Sequence, residues 1–347
     1  MKMKKFATKF SAVALIALAL TSCKKTPNEA PEADTDFQSS VEASAATMIV
    51  TDIDMMVALA SERSYMFFYS TFNATNSNTC TVIRDTTNKV NTLVFNNARG
   101  ADGVVRNGTV TISYTACSTG TATGAGQVYI RNPNHMSQVT FNNFSVGKFF
   151  VDNYSSIVVK NTTQAGYTRS ITPLSWSISG TLKLADTTTN GTNHNIDITW
   201  VGSYAKTLTN STSNTIHPST TLPLNWITGQ PGIQTTTLLT SNNSINPSGK
   251  NGIVKYTGKS TGITTGGVAY EFNIENTNPL YRDFGCSPDY YISPEQHPIN
   301  KGKVTFKTGT KAVRTLYFAD QQDVVAYCDN SGIVYINGIS YNVDFVK

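Results

Sequence analysis

Charged side chains are scarce in this sequence: only 14% of its 347 residues are Asp, Glu, Lys or Arg. Chains kept disordered by charge need a high net charge, and helical bundles need abundant Ala, Glu, Lys and Leu. Both classes are therefore disfavoured. The chain instead contains 50 Thr and 32 Asn. Thr is β-branched and Asn is a turn former, so the composition favours strands joined by turns.

Catalytic and metal-binding motifs are also scarce. The sequence has no C-x-x-C pair and no H-E-x-x-H motif, and its four histidines are isolated. Zinc ribbons, thioredoxin-like redox sites and zinc proteases depend on such motifs, so we expect no metal and no cofactor. Residues 258–262 match G-x-S-x-G, but a nucleophile elbow needs a helix after the serine. Residues 263–267 would make a poor helix, so we interpret the match as a chance hairpin loop.

The apolar run near the N-terminus, Ser11–Leu20, is ten residues long. It is too short for a transmembrane helix, which needs about 20 apolar residues. It follows four lysines, as the core of a secretory signal peptide does. It ends in Leu20-Thr21-Ser22-Cys23, which resembles the lipobox of bacterial lipoproteins: an aliphatic residue, two small ones and the lipidated cysteine. The resemblance implies cleavage after residue 22 and acylation of Cys23.

Three acyl chains on Cys23, as the lipobox resemblance implies, would anchor the protein firmly, since two chains already give stable binding. We therefore expect a lipid-anchored outer-membrane protein whose membrane contact is made through these chains. The sequence leaves open which face of that membrane carries the domain. Removing residues 1–22 leaves 23 Lys and Arg against 22 Asp and Glu. The mature chain is then nearly neutral, which argues against a nucleic-acid partner.

Four cysteines remain besides Cys23: Cys80, Cys117, Cys286 and Cys328. An even number of cysteines in an exported chain predicts disulfides. Three pairings are possible, and we favour Cys80–Cys117 with Cys286–Cys328 because each pair lies within one local stretch. Closing two loops of roughly 40 residues would stabilise the fold by about 4 kcal/mol each in the chain-entropy model. Free, buried thiols are the alternative.

The composition divides the chain into five segments. Residues 1–22 form the signal peptide, and residues 23–36 form a lipidated, flexible tether with two prolines and four acidic residues. Residues 37–70 lack Gly and Pro and carry apolar residues near helical spacing, so we predict one or two amphipathic helices there. Residues 77–170 and 171–347 are predicted to form two β units, with a weakly marked boundary between them.

Short runs of alternating apolar and polar residues recur after residue 77. In one of them, Val110, Ile112 and Tyr114 alternate with Thr and Ser. Near the end, Asn337-Gly338 separates two such runs, and Asn-Gly favours a two-residue turn with positive φ at both positions. The pattern predicts a mainly β fold, an antiparallel sandwich or an extended meander, with a short N-terminal helical segment.

Two blocks extend the lipoprotein resemblance. The first joins Cys80 to Asp102-Gly103-Val104-Val105-Arg106-Asn107-Gly108 and an alternating strand. The second joins Cys286 and Arg314 to Cys328-Asp329 and the terminal Asn-Gly hairpin. Both blocks resemble a family of uncharacterised, exported lipoproteins of the Bacteroidota type. The resemblance implies an exported, β-rich lipoprotein, and it brings no catalytic residue.

The lack of a catalytic constellation favours a non-enzymatic protein with a binding or structural role at the cell envelope. Its ligand would be a glycan or an envelope protein. Aromatic ring faces stack on sugar rings, which makes Trp226, Tyr290 and Tyr291 candidate ligand contacts. The alternative is an exported polysaccharide hydrolase, whose acid and base would come from the carboxylates near Cys286. These carboxylates are Asp283, Asp289 and Glu295.

Overall fold

One helix and fifteen strands are present in the part of the chain that this computed structural model describes. The described residues are 37–61, 79–85, 87–99, 104–114, 135–163, 174–186, 198–210, 252–283, 299, 301–318, 331–336 and 338–344. The elements are α1 (Gln38–Ser61), β1 (Thr79–Asp85), β2 (Val90–Arg99), β3 (Val105–Tyr114), β4 (Met136–Val146), β5 (Phe149–Val151), β6 (Ser156–Asn161), β7 (Leu174–Asp186), β8 (Ile198–Asn210), β9 (Gly252–Ile263), β10 (Ala269–Ile274), β11 (Leu280–Asp283), β12 (Gly302–Thr308), β13 (Arg314–Phe318), β14 (Ser331–Ile336) and β15 (Ile339–Asp344).

The fifteen described strands form one antiparallel sheet. Its order is β1-β2-β3-β4-β5-β7-β8-β9-β10-β12-β13-β14-β15, with β6 beside β4 and β7, and β11 beside β9. The predicted mainly β, antiparallel fold with an N-terminal helical segment is confirmed, and the strand order is that of a meander. The predicted boundary at residue 170 lies outside the described residues. The strands on its two sides, β6 and β7, pair with each other in this sheet.

Alternation along the strands gives the sheet an inner and an outer face. In β3, Val110 and Ile112 are fully buried as predicted, whereas Thr109 and Thr111, which alternate with them, are partly exposed. In β8, Trp200, Tyr204 and Leu208 point inward and are fully buried. Side chains alternate between the two faces of a strand, so a single row of apolar residues per strand is sufficient to build the core.

The inner face surrounds α1. From Ser39 onward, the described side chains of the helix are buried, except those of Val41 and Met55, which are partly exposed. Strands at both ends of the sheet reach the two ends of the helix. Arg84 of β1 donates to the carbonyl of Ala60 at 3.4 Å, and Tyr341 of β15 stacks on Phe37, the residue before the helix, whose carbonyl accepts a hydrogen bond from Val41. Because its two outermost strands contact the same helix, the sheet curves around that helix.

The prediction that residues 37–70 form amphipathic helices is wrong in one respect. A helix is present, but after its first turn it has no face turned to solvent among its described residues. The physical reason is its many Ala and Ser residues, whose small side chains allow strands to approach from several sides. Residues 62–70 of the predicted segment lie outside the described residues. No helix in the described part of the chain is long and apolar enough to cross a membrane.

Two bulges shift the inward-facing row by one residue. One lies in β2 between Phe95 and Ala98, and the other lies where Asn107 and Thr109 of β3 face β4. At the second bulge, Gly108 has φ +88°, and a Cβ there would lie 2.0 Å from the carbonyl oxygen of Asn143. Glycine is therefore required at this close approach of two strands.

The terminal hairpin matches its prediction. Ile336 at the end of β14 pairs with Ile339 at the start of β15, so two residues connect the strands, as the Asn-Gly pattern predicts. Gly338 has φ +83°, the left-handed conformation that the second position of such turns needs. The Asn-Gly pair therefore fixes the register of the last two strands.

One of the two predicted disulfides is contradicted by the structure. Cys80 of β1 is a free thiol, and the described residues contain no disulfide, so the predicted pair Cys80–Cys117 is not formed in this structure. Cys80 pairs in register with Phe95 of β2 and packs partly buried against the core. Cys117, Cys286 and Cys328 lie outside the described residues, and the pair Cys286–Cys328 stays a prediction.

Candidate functional site

Most of the site residues predicted from sequence lie outside the described residues. This holds for the lipidated Cys23 and for the candidate ligand contacts Trp226, Tyr290 and Tyr291. It also holds for Asp289 and Glu295 of the alternative hydrolase site, and Asp283 is described only as the last backbone position of β11. Among the described residues, no group of three or more His, Cys, Asp or Glu side chains is placed to hold a metal ion.

Ser260 of the G-x-S-x-G match lies within β9 rather than in a hairpin loop. The predicted hairpin is therefore wrong, whereas the rejection of a nucleophile elbow is confirmed, because the residues after Ser260 continue the strand. Ser260 is 2% exposed and its hydroxyl lies 2.9 Å from that of Tyr204. Its role is in the packed interior.

The most conspicuous polar group in that interior is an ion pair between α1 and the sheet. Nζ of Lys206 lies 2.8 and 2.9 Å from the two carboxylate oxygens of Asp54, and both side chains are at most 2% exposed. Tyr256 donates its hydroxyl to the same carboxylate at 3.0 Å. Burial, with the charge of Asp54 as the second cause, raises the pKa of Tyr256 well above its ordinary value. Nζ of Lys206 also lies 4.7 Å from the ring centre of Trp176.

A second ion pair joins α1 to β3. Arg106 donates from Nε and Nη2 to the two carboxylate oxygens of Asp52 at 3.0 and 2.7 Å, which is the bidentate geometry of strong pairs. Arg106 is 1% exposed and also donates to the carbonyl of Val104. Arg106 and Gly108 both belong to the block on which the lipoprotein resemblance rests, and in this structure one binds the helix and the other permits a bulge.

Neutral hydrogen bonds complete the interface between the helix and the sheet. The buried hydroxyl of Tyr204 receives the indole N–H of Trp200 at 3.0 Å and lies 2.9 Å from the hydroxyl of Thr47 on α1. Glu42 accepts hydrogen bonds from the backbone and side chain of Thr265, in the turn after β9. Polar residues of α1 from Glu42 to Asp54 are therefore bound to strands or to the turn after β9.

Charge is complementary across this interface. The helix carries three acidic residues and no basic one, whereas the surrounding strands place Arg106, Lys206 and Arg282 inside. Arg282 donates to the hydroxyl of Thr51 at 2.9 Å, and its Nε has no partner within the described structure. Because all these groups are buried, they are placed to hold the helix in register and not to meet a substrate.

The outer face presents a different chemistry on its C-terminal half. Six of its side chains alternate with the inward-facing residues of β9, β11, β12, β13 and β14 and form one neighbourhood of ammonium groups and phenol rings. We call it the Lys–Tyr face, and its members are Lys255, Tyr281, Lys301, Lys303, Tyr317 and Tyr335.

Lysine side chains lie over tyrosine rings on this face. Nζ of Lys255 and Nζ of Lys301 lie 5.4 and 5.7 Å from the centre of the Tyr281 ring, since both residues are register partners of Tyr281. Lys303 lies opposite Tyr317, with Nζ 5.9 Å from the ring centre. The rings of Tyr317 and Tyr335 pack edge to face, with their centres 5.3 Å apart. These contacts hold the ammonium groups close to the sheet surface.

No family model, curated protein or solved structure matches this chain.

Sequence reasoning missed both the interior ion pairs and the Lys–Tyr face. For the interior, Asp52 and Asp54 stand out as acids within an apolar helix. Lys206 lies two residues from both Tyr204 and Leu208, so it faces the same side of β8 as these buried residues. For the outer face, Lys303 alternates with the buried Val304 and Phe306 in β12. The alternation of side chains along a strand shows on which face each lysine lies, but only the strand order brings Lys255, Lys301 and Tyr281 together.

Proposed function

We propose that this chain is a lipid-anchored outer-membrane protein with a non-enzymatic binding role, and that the outer face of its sheet carries the binding surface. One observation carries the proposal. The inner face of the sheet is filled by the protein's own helix, which buried pairs such as Asp54–Lys206 hold in place. A ligand therefore meets the outer face, where the Lys–Tyr face offers ammonium groups and phenols.

The anchor follows from the N-terminal residues. The lipobox-like Leu20-Thr21-Ser22-Cys23 supports acylation of Cys23, and the polar segment 23–36 supports a tether between the membrane and the sheet. Such an anchor suits a protein that keeps a binding surface at the envelope. Its ligand is a glycan or an envelope protein.

The anchor is tested with the full-length chain and its Cys23→Ser variant. Growth with a clickable palmitate analogue should label the parent chain and not the variant, and the parent should fractionate with membranes. A matched Cys80→Ser variant should label like the parent, because Cys80 lies within β1. A parent chain that carries no label, or an equally labelled Cys23→Ser variant, contradicts the anchor.

The binding role is tested on intact cells and on isolated envelopes. Protease added to intact and to lysed cells decides which face of the membrane carries the domain. Crosslinking in the envelope, followed by purification, should recover a glycan or a protein bound to the chain. Recovery of neither, together with silence on a glycan array, contradicts the binding role whatever the face.

A further inference from the structure

We propose that the Lys–Tyr face binds an acidic polysaccharide, an extended glycan whose sugars carry carboxylate or sulfate groups. The inference rests on the proposed binding function and names the ligand class of that surface. It is carried by three properties of the face: its charge, the way its lysines are held, and the neutral polar side chains between them.

Among the residues that the structure describes, this half of the outer face carries more lysines than acidic side chains. Within this described part, strand β9, the residue before β12, β12 itself and the turn after it present six lysines to the outside: Lys255, Lys259, Lys301, Lys303, Lys307 and Lys311. The two arginines of the same stretch, Arg282 and Arg314, are buried and do not contribute. The described acidic side chains here are Glu271, which is exposed, and Glu275, which is partly exposed. An anionic ligand is therefore attracted to this face, even though the mature chain as a whole is nearly neutral.

The N-terminal half of the sheet is arranged differently. There, Lys148 in the turn before β5 is paired with Asp186 of β7 at 3.0 Å, and the ring under its ammonium group is that of its neighbour Phe149, not of a tyrosine. Other lysines, Lys160 and Lys183, lie on separate strands without an aromatic contact of the kind seen on the Lys–Tyr face within the described structure. The concentration of lysine and tyrosine is thus a local feature and not a property of the whole surface.

The lysines of the face are ordered before a ligand arrives. The contacts of Lys255 and Lys301 with one ring, and of Lys303 with the next, draw these side chains along the sheet surface. A lysine that is already held in place loses less conformational freedom when it binds an anion. The tyrosine hydroxyls at the ring edges add donors and acceptors beside the ammonium groups.

Neutral hydrogen-bonding side chains fill the positions between the charges. Lys259 lies in register with Asn273, Asn273 with Thr305, and Thr305 with Thr315. Beside Lys259, one row across three strands therefore offers an amide and two hydroxyl groups. Sugar hydroxyls need such partners. A bilayer surface would instead favour apolar residues that enter it, and single-stranded nucleic acid is bound with free aromatic faces on which its bases stack. On this face the rings of Tyr281 and Tyr317 already carry lysines.

The spacing of the charges suits a repeating ligand. Neighbouring strands are about 4.8 Å apart, and residues two apart on one strand are separated by roughly 6.7 Å. Lys301 and Lys303 are spaced along one strand edge in this way, and Lys255 lies across β11 from Lys301. A polyanion with a charge on every one or two sugars can therefore meet several ammonium groups at once.

The test uses the full-length chain in a neutral detergent and titrates it with polygalacturonate, with uncharged dextran as the control polymer. The K255Q/K301Q/K303Q variant should bind polygalacturonate at least about tenfold more weakly than the parent, as expected for the loss of three exposed charge contacts. A matched variant, K89Q/K160Q/K183Q, removes the same charge from the other half of the described sheet and should bind like the parent. Glu271→Gln removes a repulsive charge and should bind more tightly.

Several outcomes overturn the proposal. Equal losses in the two triple variants would mean attraction by total charge and not by this face. Equal binding of dextran would mean that the face does not recognise the charge of the polymer. Tighter binding to duplex DNA or to vesicles of anionic phospholipid would assign the face to a different class of partner. If crosslinking recovers an envelope ligand that the K255Q/K301Q/K303Q variant retains in full, the binding function stands and the assignment to this face fails.

Discussion

Asp54 and Lys206 are 152 positions apart in the sequence, yet their charged groups lie 2.8 Å apart in the interior of the sheet. The carboxylate comes from the only helix among the described residues and the ammonium group from β8, near the middle of the sheet order. Each group is out of contact with solvent and is neutralised by the other. The pair therefore ties the helix to one strand and to one register along it.

Lys206→Met should destabilise the protein by about 3–5 kcal/mol. The substitution keeps the length of the side chain beside Trp176 but leaves the buried carboxylate of Asp54 without its cation, and an uncompensated buried charge has that cost. Urea unfolding followed by tryptophan fluorescence measures the change. The Asp54→Asn/Lys206→Met double variant should regain much of the loss, since Asn still accepts the hydroxyl of Tyr256.

The control for this prediction is the partly exposed pair Lys148–Asp186, in which the lysine side chain is 34% and the aspartate side chain 14% exposed. Lys148→Met should cost no more than about 1 kcal/mol, because water solvates the charge that is left behind. A Lys206→Met variant that is as stable as Lys148→Met would show that the interior pair does not hold the helix.

Gly108→Ala should destabilise the protein by several kcal/mol, well beyond the cost of its backbone conformation alone. A Cβ at this position would meet the carbonyl of Asn143 at 2.0 Å. Gly267 provides the matched control, because its φ is +71° but no atom lies within 4 Å of an added Cβ. Gly267→Ala should cost about 1–2 kcal/mol, the strain of a left-handed alanine. Thermal unfolding of the two variants separates the clash from the strain, and equal costs would refute the clash.

His135 should make stability depend on pH between about 6.5 and 4. Burial lowers the pKa of this histidine from 6.5 to about 4. Between these values the unfolded chain binds a proton that the folded chain does not, so the free energy of unfolding falls as the pH falls. The total loss is about 3 kcal/mol at about 1.4 kcal/mol per pKa unit.

The measurement compares the parent with His135→Gln at pH 7 and pH 5. Glutamine keeps a polar group beside Ser137, whose hydroxyl lies 3.0 Å from the histidine ring, but it does not titrate. The carboxylates that both proteins share contribute equally and cancel in the difference. An identical pH dependence of the two proteins would show that His135 is not held neutral in the folded state.

Cys80 should react slowly with iodoacetamide at pH 8 while the protein is folded. Burial raises the pKa of this thiol to about 12, and the charge of Arg106 opposes that rise only in part. The reactive species is the thiolate, which is then rare. In denaturant without reductant, alkylation of Cys80 should become fast. If Cys80 is alkylated only after reduction, the disulfide predicted from the sequence is formed and the free thiol is contradicted.

The sequence predicted the class of fold because its signals are local. Alternation at Val110 and Ile112 requires only that neighbouring side chains point to opposite faces, and Asn337-Gly338 specifies its turn by its own backbone preferences. The helix was also found, from a stretch that lacks Gly and Pro. Its surroundings were not, since a helical period assumes one apolar side and α1 has strands on several sides.

The sequence by itself determined that this chain forms strands, where a helix precedes them and which residues share a face of each strand, because these properties depend on neighbours in the chain. It also carries the lipobox-like Cys23, on which the proposed anchor rests. Only the tertiary structure decided which strand a charge meets. Asp54 and Lys206, or Lys255 and Lys301 around Tyr281, become partners through the order in which strands pair and the curvature of the sheet around the helix. That order is set by packing over the whole chain, and no local pattern contains it.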